Sequence, residues 1–233
     1  ANIILIGNKK QILEKAKTNN IDINQAEIID PNTSEYYEKY VNMFYELRKN
    51  KGMTIEKARE IVLDPVYFGM LMVKDDETIA DGLVSGAIHS TADTLRPALQ
   101  ILKTAPGTKL VSSFFLMIVP DCEYGENGTF VFSDCGLNQN PTSEELSEIA
   151  ISSAKSFEQL VGETPKVAML SYSTYGSAKS ELTEKRIIAT ALVKEKYPEL
   201  IVDGELQLDA AILPEISKMK APGSELEGKA NTL

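Results

Sequence analysis

The chain has little cysteine and almost no histidine, and both shortages limit its chemistry. Its 233 residues include two cysteines, Cys122 and Cys135, and one histidine, His89. The cysteines lack metal-ligand spacing, and a single histidine excludes any site that needs several. So few thiols are typical of a reduced, cytoplasmic protein. We interpret Cys135 as a buried structural thiol, because no basic residue lies near it in the sequence.

Long apolar runs and net positive charge are also missing. The longest apolar candidate, residues 114–119, has the length of a strand, whereas a membrane span needs roughly 18 such residues. The formal net charge of −10 argues against nonspecific binding to nucleic acid or anionic membranes. Local clusters of arginine and lysine can still bind an anionic substrate, so a small-molecule partner is predicted rather than a nucleic acid or a membrane.

Short apolar runs alternate with amphipathic patterns along the chain, which indicates an α/β fold with mostly parallel sheets. Strands are predicted at 2–7, 26–30, 79–84, 109–120, 129–134, 166–170 and 201–205, and helices at 9–19, 34–50, 54–63, 65–74, 98–103, 142–161, 180–197 and 208–218, the last interrupted at Pro214. The two strands after residue 108 have no helix between them and should pair antiparallel. The turn Ala105-Pro106-Gly107 divides the chain into a first α/β domain, 1–106, and a second, 107–233.

The most informative segment, residues 85–97, lies between a predicted strand and a predicted helix. Small residues at its start leave backbone N–H groups uncovered, and Ser90 and Thr91 add hydroxyls. Arg96 adds a fixed positive charge, so the segment suits a phosphate or carboxylate at a helix start. We expect Thr94 to cap this helix, which would put Pro97 in the first turn, where its missing N–H costs nothing.

Two later segments carry similar polar chemistry. The turn at 171–179 follows a predicted strand and opens a helix, which again suits an anion; its small polar residues are Ser171, Ser173, Thr174, Gly176 and Ser177. Ordinary turn chemistry with a Ser/Thr cap is the alternative. Polar side chains also alternate at the end of the last predicted strand, and include Asp203, Glu205, Gln207 and Asp209. These side chains are suited either to acid–base catalysis or to lining a polar cleft.

Three segments, SGAIHSTADTLRPALQ, VAMLSYSTYGSAK and DGELQLDAA, resemble the phosphate acetyltransferases (phosphotransacetylases) in sequence and in order. This resemblance extends over nearly the whole chain. It implies two α/β domains of the isocitrate/isopropylmalate dehydrogenase-like class, with the active site in an interdomain cleft. It implies acetyl transfer between acetyl phosphate and coenzyme A, with inorganic phosphate as the other substrate or product. It also implies a homodimer, a role in acetate metabolism, and neither a metal nor a further cofactor.

The resemblance also assigns roles to residues. Arg96 becomes the first catalytic candidate, as a phosphate clamp, against the alternative that it pairs only with Asp93. Arg48 is expected to reach the phosphate or coenzyme site, although a solvated basic cluster at a helix end is the simpler interpretation. Substrate-binding roles are expected for Ser90, Thr91, Ser171, Ser173, Thr174, Gly176, Ser177, Gln207 and Asp209. His89 is expected to order its loop rather than act as a base.

The chain departs from the family in two ways. Tyr175 stands where many members have lysine, which weakens the case for a charged contact there. Members are longer at both ends, and their final segment carries a Ser-Arg-Gly-Cys-type motif and an aspartate whose Ser, Arg and Asp are implied in catalysis. We therefore expect an incomplete form of the enzyme, with both domains truncated. Alternatives are a phosphate butyryltransferase, a noncatalytic acetyl-CoA-binding regulatory domain, and a metal-dependent decarboxylating dehydrogenase, for which neither clustered aspartates nor a nucleotide site is evident.

Overall fold

A computed structural model describes residues 1–77 and 79–233. It confirms the α/β class, because helices alternate with strands and the sheets contain parallel pairs. The chain forms two compact units, residues 1–105 and residues 106–233. Within the described ranges we find no helix with both the length and the apolar character needed to span a membrane.

Unit 1 combines a two-stranded parallel sheet with five helices and one 3₁₀ turn among its described residues. Its elements are β1 (Ile4–Ile6), α1 (Lys9–Thr18), β2 (Glu27–Ile29), α2 (Tyr37–Arg48), the 3₁₀ turn Lys49–Lys51, α3 (Ile55–Ile61), α4 (Pro65–Lys74) and α5 (Thr91–Ile101). Tyr40 and Phe44 of α2 are fully buried, and the Tyr40 ring packs edge-on against Phe68 of α4. This packing of α2 on α4 brings the end of α2 and the start of α4 together within one core.

The predicted strand at 79–84 is wrong. These residues form no ladder, and Thr78, where the apolar run begins, lies outside the described residues. Ile79, Ala80 and Leu83 instead pack against the helical core of unit 1, and Val84 is fully exposed. Three of the apolar residues of this segment are therefore partly buried without a partner strand, which a sequence pattern cannot distinguish from strand pairing.

The helix after this segment begins earlier than predicted. Ser90, not Thr94, is the N-cap: its Oγ accepts a hydrogen bond of 3.2 Å from the Asp93 backbone N–H. Pro97 consequently lies inside α5, where it removes one intrahelical hydrogen bond, and its side chain is buried. The cap was misassigned because Ser90 and Thr94 are both good capping residues four positions apart.

Unit 2 contains a mixed sheet covered by helices. Its elements are β3 (Phe114–Ile118), α6 (Tyr124–Asn127), β4 (Thr129–Ser133), α7 (Ser143–Val161), β5 (Lys166–Leu170), α8 (Glu181–Lys196), β6 (Ile201–Leu206), α9 (Leu208–Ile212) and α10 (Pro214–Lys220). β3 pairs antiparallel with β4, as predicted, and β5 pairs parallel with β6. Thr232 bridges both β4 and β5 in parallel, so residues 231–233 lie between the two pairs.

The structure of unit 2 confirms two local predictions from the sequence and corrects two others. The capping box between Thr142 and Glu145 starts α7, and Pro214 separates α9 from α10. A short kinked helical turn, α6, occupies the predicted loop between β3 and β4. Cys135 is half-buried rather than buried, and its Sγ lies 2.9 Å from the Phe132 carbonyl oxygen.

Candidate active site

The charges of Arg48 and Arg96, the two arginines singled out by the sequence, both act on Tyr67 in unit 1. Burial raises the pKa of the Tyr67 phenol, and the positive charges of Arg96 and Arg48 oppose that rise. Arg48 is the last residue of α2, and its Nε atom is buried without a hydrogen-bond partner in the described part of the chain. At least one donor of this arginine is therefore free to bind an added acceptor.

Arg96 is only loosely held. Its side chain is 54% exposed, and its Nη1 donates a hydrogen bond of 3.3 Å to Asp93 Oδ1. Asp93 is held mainly by Ser90, whose hydroxyl donates to Asp93 Oδ2 at 2.6 Å. This bond, with the charge of Arg96, keeps the pKa of Asp93 below its usual value. Thr91 and His89 are exposed beside this cap, so Arg96 retains donors that can face an anion.

The other candidate loop, residues 171–178 (the β5–α8 loop), lies in unit 2. Ser173 and Thr174 are buried, whereas Gly176 and Ser177 are exposed and Ser171 is half-buried. The Ser173 hydroxyl lies 3.2 Å from that of Ser177 and accepts a bond of 3.0 Å from the Ala178 backbone N–H. The hydroxyl groups of this loop are thus used largely to hold the loop itself in shape.

Two carboxylates of β6 hold the β5–α8 loop from beneath. Glu205 Oε1 accepts hydrogen bonds from the Ser173 hydroxyl at 2.9 Å and from the Gly176 backbone N–H at 2.7 Å. Asp203 Oδ2 accepts a bond of 2.5 Å from the Tyr175 hydroxyl. Both acids are buried, at 2% and 7% exposure. They are therefore engaged with the loop, and neither offers a free carboxylate to solvent.

A polar cluster follows at the end of β6. The Thr174 hydroxyl accepts from the Gln207 backbone N–H at 2.9 Å and lies 3.3 Å from Gln207 Oε1. Lys220 Nζ donates to Gln207 Oε1 at 3.1 Å and to Asp209 Oδ2 at 2.7 Å. The bond from Lys220 is the main reason why the pKa of Asp209 lies below its usual value. A half-exposed cation therefore accompanies the predicted binding residues.

The structure groups the predicted residues into two clusters, each within its own unit. Three participants were missed by the sequence reasoning: Tyr67, Gln100 and Lys220. Gln100 accepts a long hydrogen bond of 3.4 Å from the Tyr67 hydroxyl, and its position four residues after Arg96 on one helix was a usable signal. Tyr67 and Lys220 join their clusters through tertiary contacts, which leave no local pattern. Across residues 1–77 and 79–233, no group of three or more His, Cys, Asp or Glu could hold a metal ion.

Comparisons with known proteins identify the family of the chain. Residues 1–233 match the family described as phosphate acetyl/butaryl transferase. A phosphate acetyltransferase of Acetivibrio thermocellus is 65% identical over 233 residues, which are 100% of this chain and 69% of that protein.

Solved structures show the same likeness. The EutD phosphotransacetylase from Staphylococcus aureus superposes with a TM-score of 0.85 at 45% identity, covering 99% of this chain and 68% of that one. A phosphotransacetylase from Streptococcus pyogenes gives a TM-score of 0.84 at 41% identity, with coverage of 99% and 68%. The chain therefore belongs to the phosphate acetyl/butaryl transferase family.

Proposed function

We propose that this chain transfers an acetyl group between acetyl phosphate and coenzyme A. The observation that carries the proposal is the Nε atom of Arg48, which is buried without a hydrogen-bond partner among the described residues. A buried donor without an acceptor is costly, and a phosphate oxygen would supply the acceptor. The relatives named phosphate acetyltransferase supply the reaction that such a phosphate would take part in.

The proposed reaction is a direct displacement at an acyl carbon. The deprotonated thiol of coenzyme A attacks the carbonyl carbon of acetyl phosphate, forming a carbon–sulfur bond. The carbon–oxygen bond to phosphate then breaks, and inorganic phosphate leaves with the electron pair. Arg96 and Arg48 offset the negative charge of the phosphate, and Thr91 donates to its oxygens. Ser90 can donate to phosphate only by exchanging its present bond to Asp93 Oδ2. Holding both substrates together supplies much of the remaining rate acceleration.

The β5–α8 loop and the end of β6 are assigned to substrate binding in this proposal. Gly176 and Ser177 are exposed and can meet a ligand directly, whereas Ser173 and Thr174 are buried and shape the loop. Ser171, Gln207 and Asp209 are half-buried at the same polar surface, where Lys220 adds a positive charge.

The remaining expectations belong to the same proposal. They are domains at 1–106 and 107–233 with the isocitrate/isopropylmalate dehydrogenase-like architecture, a cytoplasmic location, and coenzyme A, acetyl phosphate and inorganic phosphate as ligands without a further cofactor. A homodimer is also proposed. It is supported by β3, where Phe115 and Ile118 are 59% and 70% exposed on an apolar edge strand. Sedimentation equilibrium would test the dimer.

The decisive experiment mixes the 233-residue chain with acetyl phosphate and coenzyme A and follows thioester absorbance. Arg96→Ala and Arg48→Ala should each lower kcat/KM by about ten- to a hundredfold, because each removes a charge-assisted contact to phosphate. Arg59→Ala is the matched control: Arg59 lies in the same unit and pairs bidentately with Glu38 on the surface. Equal kinetics for all three variants would overturn the assignment.

Two further measurements separate the alternatives. Replacing acetyl phosphate with butyryl phosphate tests the acyl preference, and a higher kcat/KM for the butyryl substrate would identify a phosphate butyryltransferase. Calorimetry with acetyl-CoA tests binding independently of turnover. Tight binding without thioester chemistry would overturn the catalytic proposal in favour of a regulatory domain.

A further inference from the structure

Tyr175 connects three separate segments of unit 2 at a single oxygen atom. Its hydroxyl donates a hydrogen bond of 2.5 Å to Asp203 Oδ2, and the Ser224 hydroxyl donates to the same oxygen at 2.5 Å. Asp203 and Ser224 are both buried, at 7% exposure each. The β5–α8 loop, strand β6 and the segment after α10 therefore converge on the Asp203 carboxylate.

The backbone of Tyr175 is itself unusual. Its φ angle is +46°, and Gly176 follows at +79°, so the loop turns through two successive left-handed residues. This conformation is unfavourable for a residue with a Cβ atom and persists only where surrounding contacts impose it. Here the Tyr175 N–H donates to the Glu205 carbonyl at 3.3 Å, and the Gly176 N–H donates to Glu205 Oε1 at 2.7 Å. The side-chain bond to Asp203 completes this set of constraints.

The bond from Tyr175 to Asp203 is present over the whole neutral range. Burial, then the hydrogen bond and negative charge of Asp203, raise the pKa of the Tyr175 phenol to about 12. The phenol therefore keeps its proton and remains a donor wherever the protein would be assayed. Tyr175 as a whole is nonetheless 45% exposed.

We propose that Tyr175 is a positioning residue, whose hydroxyl fixes the β5–α8 loop against β6 in the conformation that binds substrate. It acts through the loop: its hydroxyl is bound to Asp203, while the groups that the loop presents to solvent are those of Gly176 and Ser177. The role in substrate binding rests on the proposed acetyltransferase function, whereas the role in holding the loop does not.

The test compares three variants of the full chain. Tyr175→Phe removes the donor but keeps the ring, and Tyr175→Lys restores a donor of similar reach. Tyr197→Phe is the matched control, because Tyr197 belongs to the same unit and its ring, which lies under Lys155, is retained. Hydrogen exchange of the amides at 172–178 should accelerate about fivefold in Tyr175→Phe, because the loss of one hydrogen bond makes local opening of the loop easier. In Tyr175→Lys the exchange rates should return to within about twofold of those of the original chain.

Steady-state kinetics then test the consequence for binding. The KM for acetyl phosphate or coenzyme A should rise about fivefold in Tyr175→Phe with kcat changed less than about twofold, and Tyr175→Lys should recover most of the loss. Unchanged exchange in Tyr175→Phe, or equal acceleration in both Tyr175 variants, would overturn the role of the hydroxyl. Accelerated exchange with unchanged KM would overturn the role in binding. If the parent chain shows no turnover, the exchange result still decides whether Tyr175 holds the loop, and only the proposed function fails.

Discussion

The Ser173 hydroxyl donates a hydrogen bond of 2.9 Å to Glu205 Oε1, and both side chains are almost completely shielded, at 0% and 2% exposure. The same carboxylate oxygen also accepts the Gly176 backbone N–H at 2.7 Å. A buried acid that accepts two bonds from one loop is an anchor for that loop. It follows that removing the acid takes away the shortest acceptor of the buried Ser173 hydroxyl and the acceptor of the Gly176 N–H.

Glu205→Ala should therefore lower the free energy of unfolding of unit 2 by about 1–3 kcal/mol, because two hydrogen bonds to a charged acceptor are lost, one of them from a buried hydroxyl. Glu205→Gln keeps an acceptor oxygen and should cost about 1 kcal/mol. Urea denaturation measures both values, with the exposed Glu163→Ala as control. Equal losses for the alanine and glutamine variants would show that the acceptor is not the stabilising element.

Two glycines in the segment after α10 give a matched pair of substitutions. A Cβ at Gly228 would lie 2.5 Å from the Leu213 carbonyl carbon and from Pro214 N, whereas a Cβ at Gly223 would meet nothing within 4 Å. Both glycines have positive φ, at +71° and +85°. Gly223→Ala should lower the free energy of unfolding by about 1 kcal/mol, because alanine is strained at a positive φ. Gly228→Ala should lower it by about 3 kcal/mol or more, because a steric clash adds to the same backbone strain. Thermal unfolding compares the two, and equal costs would contradict the predicted clash.

Asp134 should make the stability of unit 2 depend on pH in the acid range. Burial alone raises its pKa, but hydrogen bonds from Ser113 Oγ at 2.6 Å and from the Asn138 backbone at 3.0 Å, among others, bring it below its usual value. Because the pKa of Asp134 is lower in the folded state, its carboxylate contributes fully to the free energy of unfolding above the pKa of the unfolded chain, about 3.9. This contribution is lost as the pH falls towards the pKa of the folded state.

The variant Asp134→Asn cannot titrate and should show a flatter stability curve between about pH 5 and pH 3. At neutral pH it should be less stable by about 1–2 kcal/mol, since bonds to a charged acceptor are replaced by neutral ones. Denaturation at a series of pH values measures this, with the exposed Asp81→Asn as control. If the free energy of unfolding of the variant fell with pH in parallel with that of the original chain, groups other than Asp134 would be responsible for the loss of stability in acid.

The capping box of α7 should contribute measurably to stability. Thr142 Oγ1 accepts the Glu145 N–H at 3.2 Å, and Glu145 Oε2 accepts the Thr142 N–H at 2.8 Å. Thr142→Ala should cost about 1 kcal/mol, and Thr142→Ser should retain most of the stability because serine caps equally well. Urea denaturation checks both variants, and a serine variant as unstable as the alanine variant would argue against capping.

Features with local causes could be predicted from the sequence. The helix Pro65–Lys74 was predicted with its observed bounds, because Asp64 caps it, Pro65 fits its first turn and its residues are mostly apolar. Strand Lys166–Leu170 was equally recognisable as a short buried run between polar turns. The family segments placed Arg96 and the β5–α8 loop among the site candidates.

Features with tertiary causes could not be predicted. The run at 79–84 has a strand-like composition, but Ile79, Ala80 and Leu83 pack, partly buried, against the core of unit 1 instead of pairing. Tyr67 and Lys220 gain their importance from residues distant in sequence, Arg96 and Asp209 among them. The alternation from Asp203 to Asp209 predicted one polar face, yet the first two acids are buried beneath a loop.

The position of residues 231–233 within the sheet of unit 2 has a consequence for how the protein is made. Thr232 bridges Val131, about a hundred residues earlier in the chain, as well as Val167. Contacts between such distant positions slow folding, because a long loop must close before they form. Unit 1 can form its core while synthesis continues, but the sheet of unit 2 stays open between β4 and β5 until residues 231–233 are available. During that interval the edge of β4 that Thr232 later covers is exposed in addition to the apolar strand β3.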